Sequence, residues 1–454
     1  MDSPQSLPRR VGAFTAACVI VSNMIGVGIF GTTGFMARDL GQPGVILLLW
    51  AAGGVFSLMG AMCYSELGAA LPRAGGEYVY IREAFGALPG FLSGWMSLTI
   101  GFSAAIASNA HLFANHLQQL FPATGIDQAG WQRMLLDERV AGLVMVWLLT
   151  VVHVAGVGVG GLMQRLLTAL KVGAIGVLIV AGLVMSKDPG QPVPSPSAPP
   201  SWTASTVLVS FLFVTFAYSG WNAAGYLAGE MSQPQRSVPR ATIWATVCVT
   251  VLYLGLNVVY LHVLPMAELA ADPIEPVAHK AAAAIFGIRA GRWMTIMLCV
   301  SIVGAASAMI WAGPRVYYAM ARDGVFPAFF GKTTQTGQVP GRSIILQSVL
   351  VSVLVISGRF EQLLLYAGFA LMVFTALAVA SVLVLRVRQP QCERPYRVKP
   401  YPWVPVLYLL IAAGVMWATL RLRPTESLLG LATVAVGVPF YFLWSSSRRS
   451  AGGR

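Results

Sequence analysis

Charge is scarce in this chain of 454 residues: Lys, Arg, Asp and Glu together make up 10% of it, where a soluble domain carries about 25%. The deficit does not mean a larger buried core, because soluble cores stop growing beyond roughly 250–300 residues and the chain then splits into domains. Acidic residues are the scarcer kind, 17 against 30 basic ones, for a formal charge of +13. Such a balance suits nucleic acid, but the bases lie in short loops between apolar runs and form no stripe on a soluble face. Cysteine is rare as well. Cys18, Cys63, Cys248, Cys299 and Cys392 are scattered, four of them in apolar segments, and no C-x-x-C pair occurs, so the usual metal and redox motifs are absent. Neither His-Glu-x-x-His nor Gly-x-Ser-x-Gly is present, which removes the common signatures of a membrane enzyme.

What fills the chain is apolar: 56% of the residues, in runs near the spanning length of about 20 that recur from end to end. Twelve spans are predicted, at 12–38, 43–70, 79–108, 138–158, 161–186, 203–230, 239–264, 281–320, 341–357, 361–387, 402–421 and 426–445. The first run contains a glycine break and continues into patterned protein, unlike a cleavable signal peptide. Residues 187–202, KDPGQPVPSPSAPPSW, read as an exposed extracytoplasmic loop. Lys and Arg of short loops favour the cytoplasmic side. With the N-terminus inside, nineteen bases fall inside and ten outside, and Lys171 alone lies within a span. Both termini are therefore expected in the cytoplasm, and the membrane is expected to be the plasma (inner) membrane.

The first span reads Val21-Ser22-Asn23-Met24-Ile25-Gly26-Val27-Gly28-Ile29-Phe30-Gly31. Each glycine costs a helix interior about 1 kcal/mol relative to alanine, so several in one turn make unwinding cheap. Close packing of helices explains this segment alone equally well. The sixth span has a matching interruption, Phe216-Ala217-Tyr218-Ser219-Gly220-Trp221-Asn222. First and sixth are corresponding members of two five-span halves, and paired interruptions of that kind point to an inverted-repeat transporter with its site at the breaks. Two broken helices in matched positions fit alternating access better than the pore loop or charged ring of a channel. Unwinding frees N–H and C=O groups that lipid cannot satisfy. A zwitterion satisfies both, its carboxylate at amides and positive helix ends, its ammonium at carbonyls and negative ones. The expected division is a first repeat at 1–186, the loop 187–202, a second repeat at 203–387, and two peripheral helices with the C-terminal tail at 388–454.

Four stretches are diagnostic: GVGIFGTTGFMARDLGQPG, YSELGAALPRAGGEYVYIREAFG, FAYSGWNAAGYLAGEMSQPQRSVPRA and GPRVYYAMARDGVFP. They resemble the amino acid–polyamine–organocation (APC) superfamily, and the resemblance runs from the first span to the tenth. Phe-Ala-Tyr-x-Gly-Trp-Asn, followed by Glu230-Met231 and Pro239, is most similar to the L-type amino acid transporter (LAT) branch and its bacterial relatives. The resemblance implies an all-α membrane protein with a LeuT-like 5+5 inverted repeat, helices 1 and 6 unwound, two peripheral helices, and alternating access. It implies that the amides around Gly26, Val27 and Gly28 hold the substrate carboxylate. The carbonyls of Ile25, Phe216, Ala217 and Ser219 would hold the ammonium, and Phe216 would gate the ligand. Val27 departs from the small hydroxyl residue usual between the two glycines, which removes a side-chain hydrogen bond to the carboxylate.

Lys171 lies about 11 residues, or roughly 16 Å, into the fifth span, where a charge costs at least about 2.5–3.5 kcal/mol and marks function. In LAT-like proteins a lysine at this place fills the region where sodium sits in sodium-coupled relatives. That implies sodium-independent transport; desolvation of the lysine keeps a proton-coupling role open. Glu66, Glu77 and Glu230 near the cytoplasmic ends read as partners of Arg73, Arg82, Arg236 and Arg240, with proton relay as the other reading. His153 reads as structural. Asn23, Ser22, Ser103, Ser307, Trp311 and Tyr366 are candidate cavity residues that helix packing explains as readily. No Asp or Glu lies mid-span in helices 1, 3, 6, 8 or 10, and a pocket for a cationic side chain wants a counter-charge. The expectation is an exchanger of neutral L-amino acids, the alternatives being proton-coupled symport or an APC antiporter for cationic amino acids or polyamines. No cofactor is implied. The loop between the third and fourth spans has no cysteine, so no disulfide-linked ancillary subunit is expected.

Overall fold

A computed structural model describes residues 7–121, 136–185, 203–271, 276–287, 290–335, 338–358 and 360–451. Among the described residues there is no sheet, only helices and one isolated backbone bridge from Val11 to Met231. The first group of helices comprises α1 (Ala13–Met24), α2 (Gly28–Leu40), α3 (Pro43–Ala70), α4 (Glu77–Phe85), α5 (Ala87–Met96), α6 (Ser103–Leu120), α7 (Glu138–Ala155) and α8 (Val157–Val184). Proline at the first turn of α3 is tolerated because that N–H has no helical partner anyway. The Asp137 carboxylate caps α7 by accepting from the amides of Arg139 and Val140. Between α5 and α6 the chain makes a π-turn, Ser97–Gly101.

The second group comprises α9 (Ala204–Ala217), α10 (Ala223–Leu227), α11 (Pro234–Val263), α12 (Val277–Phe286), α13 (Ala290–Ala312), α14 (Pro314–Arg322), α15 (Gly341–Ser357) and α16 (Phe360–Arg388). After it come α17 (Trp403–Leu422), α18 (Pro424–Ala435) and α19 (Gly437–Ala451). Thr203 and Thr206 form a capping box at the start of α9.

Ten stretches of the described residues are long and apolar enough to cross a membrane, not the twelve expected. The expected sixth and ninth spans hold shorter apolar helices, Thr206–Ala217 and Gly341–Ser357; the sixth is short because the chain leaves the helix at Tyr218. The expected span 281–320 is also divided. Helix α12 ends at Phe286, and the spanning stretch runs from Ala290 to Arg322. The expected span 79–108 begins later, at Ala87, because α4 stops before Gly86.

Packing pairs the two groups. Helix α3 lies along α11, α6 along α13, α7 along α15, and α2 against α9. In each pair the partners lie five expected spans apart. Helix α1 is enclosed by α11, α8 and α13, while α17 and α18 pack against α16. Helix α8 shows which medium surrounds the bundle: Leu162, Leu166, Leu170, Val177 and Val180 are exposed, and Gln164, Thr168 and Lys171 are buried. That is the reverse of a soluble helix, and it suits hydrocarbon outside and hydrogen-bonding partners inside.

Candidate functional site

The two interruptions meet. Helix α1 stops at Met24, Ile25 leaves the helical region with ψ 85, and α2 begins at Gly28. Helix α9 stops at Ala217 and α10 begins at Ala223. Gly220 between them has φ 106, a backbone region open to glycine at little cost. A Cβ there would also lie 2.7 Å from Asn23 Nδ2, which donates to the Gly220 carbonyl at 3.2 Å. At Gly28 a Cβ would stand 2.9 Å from Ala217 Cβ. The first break therefore abuts the second at two points, and any side chain at either glycine would push them apart.

Tyr253 of α11 ties both breaks together. Its hydroxyl lies 2.7 Å from the Met24 carbonyl and 3.0 Å from the Ala217 carbonyl, the last residues of α1 and α9. Lys171 holds the other side of the first break. Its Nζ donates to the Ser22 carbonyl at 3.0 Å, Ser22 Oγ at 3.3 Å and the Ile25 carbonyl at 2.8 Å. Ser301 Oγ of α13 also donates to the Ile25 carbonyl, at 3.2 Å. The Gly26 amide turns back to Met24. The amides of Val27 and Gly28, at the positive end of α2, meet no acceptor among the described residues.

A cavity of about 160 Å³ lies beside the breaks. Phe216 and Ser219 line it, with Asn23, Asn222 and Tyr226 from around the breaks, Ser97 and Gly101 of the π-turn, and Met372 and Thr375 of α16. Of the other expected substrate residues, Ile25, Gly26, Val27, Gly28 and Ala217 adjoin the breaks without lining this cavity, and Lys171 lines a separate crevice. The Phe216 ring is 45% exposed, as a side chain standing at a mouth would be. Asn23 Oδ1 is buried with no donor, and a buried acceptor without a partner costs about 1–3 kcal/mol until one arrives. The profile of the family described as amino acid permease matches residues 11–439. The chain belongs to that family.

It is similar to LAT-type members in particular. The large neutral amino acids transporter small subunit 2 of Mus musculus is 29% identical over 447 residues, 96% of this chain and 81% of the relative. The b(0,+)-type amino acid transporter 1 of Rattus norvegicus is 27% identical, with 97% and 88% covered. The Asc-type amino acid transporter 1 of Mus musculus is 29% identical, with 96% and 81% covered. The permease is thus an integral multi-pass membrane protein of the APC superfamily, a transporter of amino acids and not an enzyme.

The permease pairs its buried acids differently from the expectation. Glu66 is held by Arg386 at 2.5 Å, with Arg394 3.7 Å away, and Glu230 by Arg315 at 2.8 Å. Arg315 lies 85 residues from Glu230 in sequence and Arg386 320 from Glu66, so neither comes from the neighbouring loops. Arg73 and Arg82 pair instead with Asp323. Glu77 has no cationic partner among the described residues. Its Oε1 accepts from Tyr64 Oη at 2.6 Å and Asn222 Nδ2 at 2.9 Å. His153 is buried against Ser307 Oγ at 3.0 Å, a structural contact. Ser22 serves Lys171, Ser103 donates to the Leu98 carbonyl of the π-turn, Ser307 bonds Gln164, and Trp311 donates to Glu230. Of the candidate cavity residues only Asn23 lines the cavity; the Tyr366 side chain lies outside the described residues.

Proposed function

We propose that the permease is a sodium-independent exchanger of neutral L-amino acids that works by alternating access. The observation that carries this reading is the Lys171 ammonium, seated on the Ser22 and Ile25 carbonyls at the first break. A cation bonded into the chain occupies those carbonyls permanently, so they offer no seat to a dissociable ion.

The substrate carboxylate would take the amides of Val27 and Gly28, and that of Gly26 if its turn opens. The ammonium would take the Phe216, Ala217 and Ser219 carbonyls and Asn23 Oδ1. The Ile25 carbonyl, already accepting from Lys171 and Ser301, would act as an anchor of the break more than as a ligand. Phe216 would gate the cavity. The pairing of elements five spans apart supports two inverted halves, 1–186 and 203–387, with 388–454 peripheral and twelve crossings once the broken sixth and the short ninth helices are counted. The Lys/Arg bias supports cytoplasmic termini in the plasma membrane. The Mus musculus relative is named a small subunit; we propose that this chain, lacking a cysteine between its third and fourth spans, needs no disulfide-linked partner.

The Glu77 carboxylate favours a second reading, proton-coupled uptake. A buried acid without a cation is the group best placed to carry a proton, whereas Glu230 is neutralised by Arg315. One experiment separates the two: uptake of a radiolabelled neutral amino-acid panel by the purified chain in sodium-free proteoliposomes, empty or preloaded, with and without an inward proton gradient. Uptake only into preloaded vesicles supports exchange. Uptake into empty vesicles driven by protons supports the second reading, and transport of none of the panel ends the neutral-substrate proposal.

A further inference from the structure

Beside the segment that enters α1, a cavity of about 540 Å³ opens apart from the breaks. Its wall includes Leu7 and Arg9 of the N-terminal segment, Arg73 and Ala74 of the loop after α3, and Tyr318 and Arg322 of α14. Three arginines line it and no acidic residue does. Arg73 shares Asp323 with Arg82. Arg9 and Arg322 are exposed and have no acidic partner among the described residues.

The backbone holds Arg9 in place from both sides. Leu7 is 6% exposed and Val11 1%, and the Val11 amide donates to the Glu230 carbonyl at 2.8 Å. The Ser232 amide returns a bond to the Val11 carbonyl at 2.9 Å. Arg9 therefore projects from a docked extended segment, and Arg322 from the end of a helix whose Arg315 is buried. Guanidiniums present flat forks of donors that match carboxylate and phosphate oxygens. Arg73 is already paired with Asp323 and lies 3.8 Å from Glu83, so among the described residues Arg9 and Arg322 are the two uncompensated charges at the cavity, one more than a carboxylate supplies. A phosphate group offers up to two charges and three acceptor oxygens.

We infer that this cavity binds a phosphate-bearing anion, either a lipid headgroup or a soluble phosphorylated compound. An anion bridging Arg9 and Arg322 would join the segment entering α1 to the end of α14. That would slow any movement of α1 against α14, a consequence that rests on the alternating-access reading; binding itself does not.

The test is equilibrium binding of radiolabelled pyrophosphate to the purified full chain in phosphatidylcholine nanodiscs, at constant ionic strength. The expected result is saturable binding that chloride does not displace. The double variant Arg9→Gln with Arg322→Gln should weaken it by about tenfold or more, since at least two charge-assisted contacts are lost. Arg397→Gln, another exposed arginine outside this cavity, should leave it unchanged. Adding phosphatidic acid to the discs distinguishes the sources. Loss of pyrophosphate binding assigns the site to a lipid headgroup, and retention assigns it to a soluble anion. Absence of saturable binding, or binding that survives the double substitution, overturns the inference. Both arginines are exposed, so a fluorescence unfolding curve matching that of the unsubstituted chain shows that the variant is folded when its binding is read.

Discussion

Replacing Lys171 with methionine keeps most of the apolar stem and removes the ammonium. Three hydrogen bonds disappear, but they do not count as three losses. The Ile25 carbonyl keeps Ser301 Oγ at 3.2 Å, and the bond accepted by Ser22 Oγ is the longest of the three, at 3.3 Å. The Ser22 carbonyl is stranded, because the Gly26 amide that a continuous helix would send to it turns to Met24 instead. A stranded buried carbonyl costs about 1–3 kcal/mol. Against this, the variant no longer buries an ammonium that has no acidic partner among the described residues, a burial that costs several kcal/mol. Global stability should therefore hold or rise while the first break loses its clamp. A bias of about 1–3 kcal/mol moves a two-state population by about 5–150-fold, so exchange in preloaded proteoliposomes should fall by about tenfold or more. Tryptophan-fluorescence unfolding of the purified variant should give a midpoint at or above that of the unsubstituted chain. Unchanged exchange would refute the clamp. A collapsed midpoint would show that the lysine stabilises the fold and does not organise the break.

Tyr253→Phe keeps the ring between Trp50 and Tyr218 and removes one buried donor, which should lower stability by about 1–3 kcal/mol and slow exchange; identical kinetics and midpoint would discount the link between the breaks. Glu230→Gln leaves Arg315 buried and uncompensated, a loss of about 3–5 kcal/mol visible as a lower unfolding midpoint. Adding Arg315→Met should recover most of it, and a single variant as stable as the parent would show that the pair is not needed. Phe216→Ala should cost well under the roughly 3–5 kcal/mol of a fully buried phenylalanine, since the ring is nearly half exposed. Its exchange rate or KM should change with the midpoint intact; kinetics like the parent's would remove it from the gate.

Features whose cause lies within one stretch of chain were legible in the sequence. Gly26 and Gly28 in one apolar run, and Gly220 in another, marked both breaks, and Lys171 stood out as the one base at membrane depth. What joins them was not legible, because it depends on which residues the packing brings together. Tyr253 looks like any aromatic of an apolar helix until α11 lies beside α1. Glu66 finds Arg386 only because α3 and α16 are neighbours. The π-turn at Ser97–Gly101 has no periodic signature, and Met372 and Thr375 read as lipid-facing or core residues alike. Ten stretches and not twelve reach spanning length because two helices are short, the sixth, which ends where the chain leaves the helix at Tyr218, and the ninth, Gly341–Ser357.

The Tyr253 hydroxyl has one proton and two carbonyls within reach. The Met24 carbonyl also accepts from the Gly26 amide at 2.9 Å, so it keeps a donor whichever way the proton points, while the Ala217 carbonyl relies on the hydroxyl. A positively charged ligand that took the Ala217 carbonyl would leave that proton free to swing wholly to Met24. No hydrogen bond would then be broken without another forming in the same place. With the ligand seated as proposed, loading and unloading at this point would be an exchange of donors, with the desolvation of each carbonyl already settled before the ligand arrives.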